Sequence, residues 1–373
     1  MQKLVSIILP TLNEEESISE CIEEIKKVMN SLNEFQYEII VVDSSSDRTP
    51  EIAEKMGAKV LRSEKKGYGL AYMMGFKAAE GDIIIMGDAD GTYDFKQIPD
   101  LLKPIMNGVD LVIGSRFKGE IEKGAMNLLH KLGNRFLTSS LNRFFGLNIS
   151  DSQSGFRAIK RMALEKLELK SDGMEFASEM IVEASRKGLK IREVEIRYRK
   201  RKGRSKLRSL KDGWRHLRLM LLYNPHSLLV YPGIAFTIFG LLLMVVLYLR
   251  GDVEQRSMHS FILGAIAFLT GFNSLFFGLM VSAYSTVHRY STSNLALKIL
   301  DYHSLERELA AGVLLIIAGI IAGAYIIHSW IASGYGSLSQ IALAVASLVL
   351  VSSGLQLVYT AFFLSMLLLE ENK

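Results

Sequence analysis

An α/β domain on a mostly parallel sheet, an amphipathic connector and four transmembrane helices form the architecture expected of this chain. Three features point to it. Up to about residue 198, short apolar runs alternate with helix-length amphipathic segments, the pattern of strands joined by helical crossovers. A basic stretch with interleaved leucines follows over 200–224. From residue 228 the sequence becomes four long, nearly uncharged runs, each long enough to cross a hydrocarbon core.

Residues 4–9 read as a strand ended by Pro10, and Glu14, Glu15 and Glu16 then enter a helix running to about residue 32, their charge suiting its N-terminus. A second strand over 37–42 ends in Asp43, with Ser44, Ser45, Ser46 and Asp47 crowding the turn before a helix over 49–56. A short strand over 58–61 follows, then Lys65, Lys66 and Gly67-Tyr68-Gly69 before a helix over 70–79. Ile83 to Met86 is a buried strand that stops where Gly87 opens into Asp88-Ala89-Asp90-Gly91. A helix over 97–106 leads to a strand over 111–116 that ends in Arg116. An amphipathic helical region over 126–145 carries His130, Lys131, Asn134, Arg135 and Arg143. The polar turn 151–157 passes through Ala158 and Ile159 into a helix over 161–167; a helix over 173–187 and a charged, alternating edge strand over 189–198 complete the domain.

Ligands of such sheets sit at the carboxyl ends of the strands, and Asp43, Asp88 and Asp90 all follow strand ends. Two carboxylates at i and i+2 beyond a core strand repel each other and are costly to desolvate. Sharing a divalent cation that also neutralises a phosphate resolves both costs, while an ordinary solvated acidic turn is the plain alternative. No glycine-rich dinucleotide fingerprint follows the first strand, and no P-loop is present. With 49% hydrophobic and 22% charged residues, the chain is too apolar for a single soluble domain. Its net charge of +5 is concentrated just before the membrane sequence, which favours membrane lipid with anionic headgroups over nucleic acid. Cys21 is the single cysteine and has no partner for an internal disulfide.

The expected division is a domain over 1–204, a juxtamembrane amphipathic region over 205–227 and a four-helix membrane domain over 228–373. The predicted runs are 228–249, 261–283, 309–327 and 341–369. No secretory signal opens the chain, and the basic cluster containing Arg201, Lys202, Arg204, Lys206 and Arg208 precedes the first run. A multi-pass protein of the cell membrane is therefore expected, with the N-terminal domain, the link 285–308 and the C-terminus cytoplasmic. The links 250–257 and 329–340 would face outward.

Five segments, Pro10-Thr11-Leu12-Asn13-Glu14, Val41-Val42-Asp43 through Asp47, Asp88-Ala89-Asp90, Gly114-Ser115-Arg116 and Asp151-Ser152-Gln153-Ser154-Gly155-Phe156-Arg157, occur in this order. Together they resemble the polyprenyl-phosphate glycosyltransferases, the dolichyl-phosphate mannose or glucose synthase group of the inverting family 2 enzymes, over residues 5–198. The resemblance implies a GT-A (Rossmann-like) fold and a nucleotide-diphosphate sugar donor, GDP-mannose or UDP-glucose. It also implies Mg²⁺ or Mn²⁺ and a dolichyl or polyprenyl phosphate acceptor. Asp43 would recognise the nucleoside, with Pro10 and Glu14 shaping that pocket. Asp90 would be the direct metal ligand, and Asp88 would touch metal, ribose or both. Arg116, Arg135 and Arg201 would hold phosphates, and Asp151 would organise the acceptor side.

Two departures matter. Ser44 stands where many relatives have a second acid, and Gly91-Thr92-Tyr93-Asp94 lacks the glutamine-centred continuation of some mannose synthases, which leaves the sugar open. A membrane scaffold or flippase-like protein with a degenerate nucleotide-sugar domain is an alternative, as is a polysaccharide-extending family 2 enzyme. Asn273, Ser274 and His328 read as packing or boundary groups rather than a transport path, and the lack of a QxxRW-like segment tells against processive extension. A homo-oligomer is left open.

Overall fold

The computed structural model describes residues 2–203, 209–251, 253–291, 294–335 and 340–371. The chain divides into two compact units, Met1–Leu219 and Met220–Lys373. Arg204, Lys206 and Arg208 of the predicted basic run, the expected boundary at 204/205, and residues 252, 292–293 and 336–339 of the predicted links lie outside the described residues.

In the first unit the elements run β1 (Lys3–Thr11), α1 (Ile18–Ser31), β2 (Phe35–Asp43), α2 (Thr49–Lys55), β3 (Lys59–Arg62), α3 (Tyr68–Ala78) and β4 (Ile83–Met86). There follow α4 (Ile98–Met106), β5 (Leu111–Ser115), α5 (Leu128–Phe145), β6 (Arg157–Lys160), α6 (Arg161–Leu164), α7 (Phe176–Arg186) and β7 (Ile191–Glu195), and α8 (Ser209–Tyr223) contains the division at Leu219. The strands form one sheet in the order β3-β2-β1-β4-β6-β5-β7, parallel except where β6 runs antiparallel to β4 and β5.

The continuous apolar strands follow from burial on both faces. Val5, Ile7 and Leu9 of β1 and Ile83 and Ile85 of β4 share a core with α1 and α4. Ile8, Ile84 and Met86 point the other way, into a core with α3 and α7. Because side chains alternate across a strand, a sheet covered by helices on both sides needs apolar residues at every position.

Several boundaries differ from the sequence reading. β1 passes through Pro10 to Thr11, since β4 pairs with β1 only as far as Ile8 and leaves no ladder on that side for the missing N–H to interrupt. Residues 13–17 form a turn, with Asn13 at φ 53°, so α1 starts at Ile18 rather than near Glu14. The segment expected to lead directly into a helix is instead β6, and its helix α6 is a single turn. β7 takes the edge position expected of it.

Cys21 lies on the buried face of α1, and that burial, with the nearby charges of Asp90 and Glu24, pushes its thiol up to about 12. At pH 8 the thiolate fraction is on the order of one in ten thousand. Native protein is therefore expected to show no maleimide labelling at pH 8, with stoichiometric labelling once the chain is unfolded. Labelling at the same rate in both states would contradict this packing.

The second unit contains α9 (Tyr231–Arg250), entered through a π-helical turn at His226–Val230, then α10 (Met258–Val287), α11 (Asn294–Tyr302), α12 (Leu305–Ala332) and α13 (Ile341–Glu371). Four helical stretches are long and apolar enough to cross a membrane, His226–Arg250, Met258–Val287, Leu305–Ala332 and Ile341–Leu369, matching the four expected runs. α9 and α10 approach through small residues. A side chain at Gly240 would strike the backbone N of Phe268 and lie 2.5 Å from the carbonyl of Gly264. Ser274 Oγ donates to the Leu229 carbonyl at 3.1 Å, a packing role as expected.

Candidate active site

Of the expected site residues, Pro10, Glu14, Asp43, Asp88 and Asp90 lie where β1, β2 and β4 end, whereas Arg116 and Asp151 pair with each other between β5 and β6 and Arg135 stands on α5. β4 is fully buried and gives way at Gly87 to Asp88 and Asp90. Since Met86 pairs with Arg157 in the antiparallel ladder, continuing that register brings Gly155 beside Asp88. A side chain at Gly155 would collide with the Tyr68 hydroxyl and sit 3.1 Å from Asp88 Oδ2 and 3.3 Å from the Tyr93 hydroxyl. Glycine is what leaves this space open. The Gly155 N–H donates to the Tyr93 hydroxyl at 2.7 Å, and Tyr93 stacks on Phe156 with ring centroids 5.4 Å apart.

Asp88 Oδ1 is buried and accepts no hydrogen bond among the described residues. Burial, then the charge of Asp90, pushes the Asp88 carboxyl up to about 7 against the opposing pull of Tyr68, Arg201 and Arg116. Asp90 is satisfied differently. Its Oδ1 accepts from the Thr92 N–H at 3.0 Å and the Thr92 hydroxyl at 2.6 Å, and its Oδ2 lies 2.9 Å from Arg201 Nη1. The other Arg201 terminal nitrogen donates to Glu14 Oε1 at 2.6 Å, so one guanidinium joins two expected site residues from distant parts of the chain.

Asp43, at the end of β2, is fully buried. Its carboxylate accepts from the Thr11 hydroxyl at 2.7 Å, from the Ser45 N–H at 3.0 Å and hydroxyl at 2.5 Å, and from Arg62 Nη1. Pro10 precedes Thr11 in this rim, and the Glu14 N–H donates to Thr49 Oγ1 at 2.9 Å.

Arg116 has a different first task from the phosphate clamp expected. It is buried, and its Nε and Nη2 donate to the two oxygens of Asp151 at 2.7 and 2.8 Å, while its backbone N–H donates to Oδ2 at 3.1 Å. The guanidinium carbon lies 5.2 Å from the centre of the Tyr198 ring. Asp151 also accepts from Asn134 Nδ2 at 2.8 Å and from the Gln153 N–H at 3.2 Å. Burial alone would push its carboxyl up; the Arg116 charge and donors, with Asn134, overcome this and hold it below the usual carboxylate range. A carboxylate so fully donated to is a poor base, and it organises its turn from within. Arg135 is exposed, its guanidinium over Phe117 at 5.6 Å, and no hydrogen bond or ion pair joins it to the acidic residues among the described residues.

Asn134, Thr92, Tyr68, Tyr93 and Arg62 take part without having been assigned a role in the site. A signal existed for Asn134: with Thr138 and Leu141 it forms the buried face of α5, and a polar residue repeated at i and i+4 on a buried face needs partners. Nothing local marked Arg62.

A divalent cation fits these residues. Asp88 offers an unpartnered buried oxygen beside Asp90, and both are hard oxygen donors. No group of three or more His, Cys, Asp and Glu placed for a metal occurs among the described residues. The protein's share would thus be two carboxylates, with phosphate oxygens and water filling the rest, the usual manner of Mg²⁺.

Residues 6–168 match the family model for glycosyl transferase family 2, and residues 282–368 match the family 2 C-terminal transmembrane region. The low-salt glycan biosynthesis hexosyltransferase Agl6 of Haloferax volcanii is 40% identical over 367 residues, covering 97% of this chain and 89% of that protein. The chain belongs to glycosyltransferase family 2. This family 2 enzyme is also 33% identical over 205 residues to the dolichyl-phosphate hexose transferase of the same organism, covering 54% of this chain and 86% of that one. A mycobacterial protein of known crystal structure matches 59% of this chain and 74% of its own with a TM-score of 0.50 and 25% identity. The N-terminal unit of the enzyme has the GT-A arrangement, and its C-terminal part is the family's membrane region.

Proposed function

We propose that this enzyme transfers a hexose from a nucleotide-diphosphate sugar to dolichyl or another polyprenyl phosphate, with inversion, making a lipid-linked sugar for glycan assembly. The observation that carries the reading is the Asp88 and Asp90 pair, with the Asp88 oxygen left unpartnered, in a family 2 domain whose chain continues into four apolar spans. The names of the two Haloferax relatives support both the hexose and the lipid phosphate. A degenerate site would have no reason to keep a buried, unsatisfied carboxylate, so the scaffold reading is disfavoured.

In this reading an oxygen of the acceptor phosphate forms the new bond to the anomeric carbon as the bond to the diphosphate breaks on the opposite face. The nucleoside diphosphate leaves with the bonding electrons. Asp88 and Asp90 would hold a Mg²⁺ or Mn²⁺ ion, which when bound would supply neutralisation of the leaving diphosphate. Asp43 and its Arg62 and Ser45 partners, with Pro10 and Glu14, form the nucleoside rim. Arg201, held between Glu14 and Asp90, brings a cation to the phosphates, and its planar donor fork suits them. Arg135 serves the acceptor side. Asp151 shapes the turn and takes no proton, because a phosphate is already a competent nucleophile. α5 exposes Leu128, Leu129, Leu132 and Phe136 at helical spacing beside Lys131 and Arg135, which supports a membrane-lipid partner.

Purified full-length enzyme incubated with radiolabelled UDP-glucose or GDP-mannose, polyprenyl phosphate and Mg²⁺ or Mn²⁺ is expected to yield a lipid-extractable monosaccharide from one of the donors. Failure with every nucleotide sugar offered would overturn the assignment. We further propose that the N-terminal domain and the C-terminus are cytoplasmic, a reading supported by the basic residues that precede the first span and by the even number of spans. A protease site appended after the last residue should be cut only in permeabilised cells, and cutting in intact cells would reverse the topology.

A further inference from the structure

α8 carries His216 where an apolar residue would be expected. Trp214 is 64% exposed and Leu217 is 38% exposed, whereas His216 is only 3% exposed. A buried imidazole is costly unless it is hydrogen-bonded. Here Nδ1 lies 2.9 Å from Ser178 Oγ in α7, a hydroxyl that is itself fully buried. Ser178 Oγ also accepts from Gln153 Nε2 at 2.8 Å, so with the His216 proton on Nε2 the sequence is amide to hydroxyl to imidazole.

Gln153 belongs to the turn whose Gly155 lies against Asp88. Its amide nitrogen donates a second time, to Ser152 Oγ at 2.9 Å, and Ser152 Oγ is paired with Thr138 Oγ1 of α5 at 2.9 Å. Both N–H groups of the amide are therefore used, and no donor reaches its Oε1 among the described residues. The amide can point only one way while Ser178 is held. A second tie lies one residue away on α8: Arg215 Nη1 sits 3.9 Å from Glu175 Oε2 at the start of α7.

We propose that His216 is a positioning residue for the transfer reaction: acting through Ser178, it fixes the Gln153 amide and with it the 151–157 turn beside Asp88. The inference rests on the function proposed above for its kinetic consequence, but not for its structural one. Losing the relay frees the Gln153 amide to rotate, exchanging an acceptor for a donor at the turn and loosening the wall opposite Asp88. A histidine that merely fills the core would affect melting temperature and nothing specific to that turn.

The test uses full-length enzyme in lipid nanodiscs, with His216→Leu, His216→Asn, Ser178→Ala and the Leu/Ala double variant. Asparagine keeps a hydrogen-bonding atom near the place of Nδ1. Amide hydrogen exchange over 151–157 is expected to rise by about tenfold in His216→Leu and in Ser178→Ala, and to stay near wild type in His216→Asn. At saturating acceptor, kcat should fall about tenfold in the first two variants with the donor KM unchanged, and the double variant should be no worse than either single change. Should His216→Leu fail to fold, Ser178→Ala carries the same comparison, since it removes one hydroxyl. Unchanged exchange over 151–157, additive losses in the double variant, an asparagine variant behaving like leucine, or faster exchange with full kcat would each overturn the proposal. A wild-type enzyme that transfers from no donor would instead sink the proposed function, and the exchange data would still decide the relay.

Discussion

Asp90→Ala is expected to lower the rate of hexose transfer by about a thousandfold, close to 4 kcal/mol of transition-state stabilisation, with the fold intact. Asp90 is where protein charge, the balancing Arg201 and the Asp88 neighbour meet. Removing it leaves Arg201 with Glu14 as its remaining carboxylate and leaves Thr92 without its acceptor. Asp90→Asn keeps the shape and a Thr92 acceptor but loses the charge, so it should be nearly as inactive while melting like wild type. An alanine variant with full activity would remove Asp90 from the site. Chelation with EDTA should mimic the loss, and added Mn²⁺ or Mg²⁺ should reverse it in wild type alone. Acidity has a defined direction here. With the Asp88 carboxyl raised to about 7 by burial and by Asp90, the metal-free site is mostly protonated at pH 6, so a cation must displace a proton to bind. Mn²⁺ affinity of the donor-free enzyme should therefore rise between pH 6 and 8. The folded value also lies above the unfolded one, so the metal-free fold loses stability as pH climbs from about 4 to about 7, and a bound cation restores it.

The sheet and the spans were legible because their signals are local. Buried strands declare themselves as runs such as Ile83 to Met86, and spans as long uncharged stretches. β6 was not legible. Arg157-Ala158-Ile159-Lys160 is four residues with charged ends, and it is a strand only because β4 and β5 flank it on both sides. That insertion is what carries Gly155 to Asp88, so the missed strand decides the geometry of the site. The carboxylates themselves could be named from their place after strands, but their partners could not. Arg201 reaches Glu14 across 187 positions, and Arg116 reaches Asp151 across 35. Such pairs are made by chain crossing, which no periodicity records. This is also why Arg116 looked like a free cation at a strand end when it is an internal one.

That internal pair gives the largest expected effect on stability. Asp151→Ala should destabilise the N-terminal unit by about 3–5 kcal/mol, because it strands the Arg116 guanidinium in the interior. Asp151 is fully buried and Arg116 nearly so, leaving solvent no route to replace the lost carboxylate. Asn134 and the Gln153 N–H lose their acceptor in the same step, which adds to the cost. The loss should appear as a large fall in the melting temperature of the N-terminal unit of the full-length enzyme in detergent. Replacing both members, as in Arg116→Met with Asp151→Leu, should recover much of it, since two apolar side chains remove the desolvation cost along with the attraction. Pairing energy, not the carboxylate's chemistry, would then account for its presence, whereas a double variant as unstable as Asp151→Ala would show that the turn needs the carboxylate for its other donors. The sign with pH follows from the direction of the shift. Asp151 is held below the unfolded value, so its contribution is complete above about pH 4 and is lost as acid protonates the folded carboxyl. Wild type should therefore lose stability steeply below pH 4, while the Arg116→Met, Asp151→Leu enzyme, with no such carboxylate to protonate, should show a shallower acid dependence.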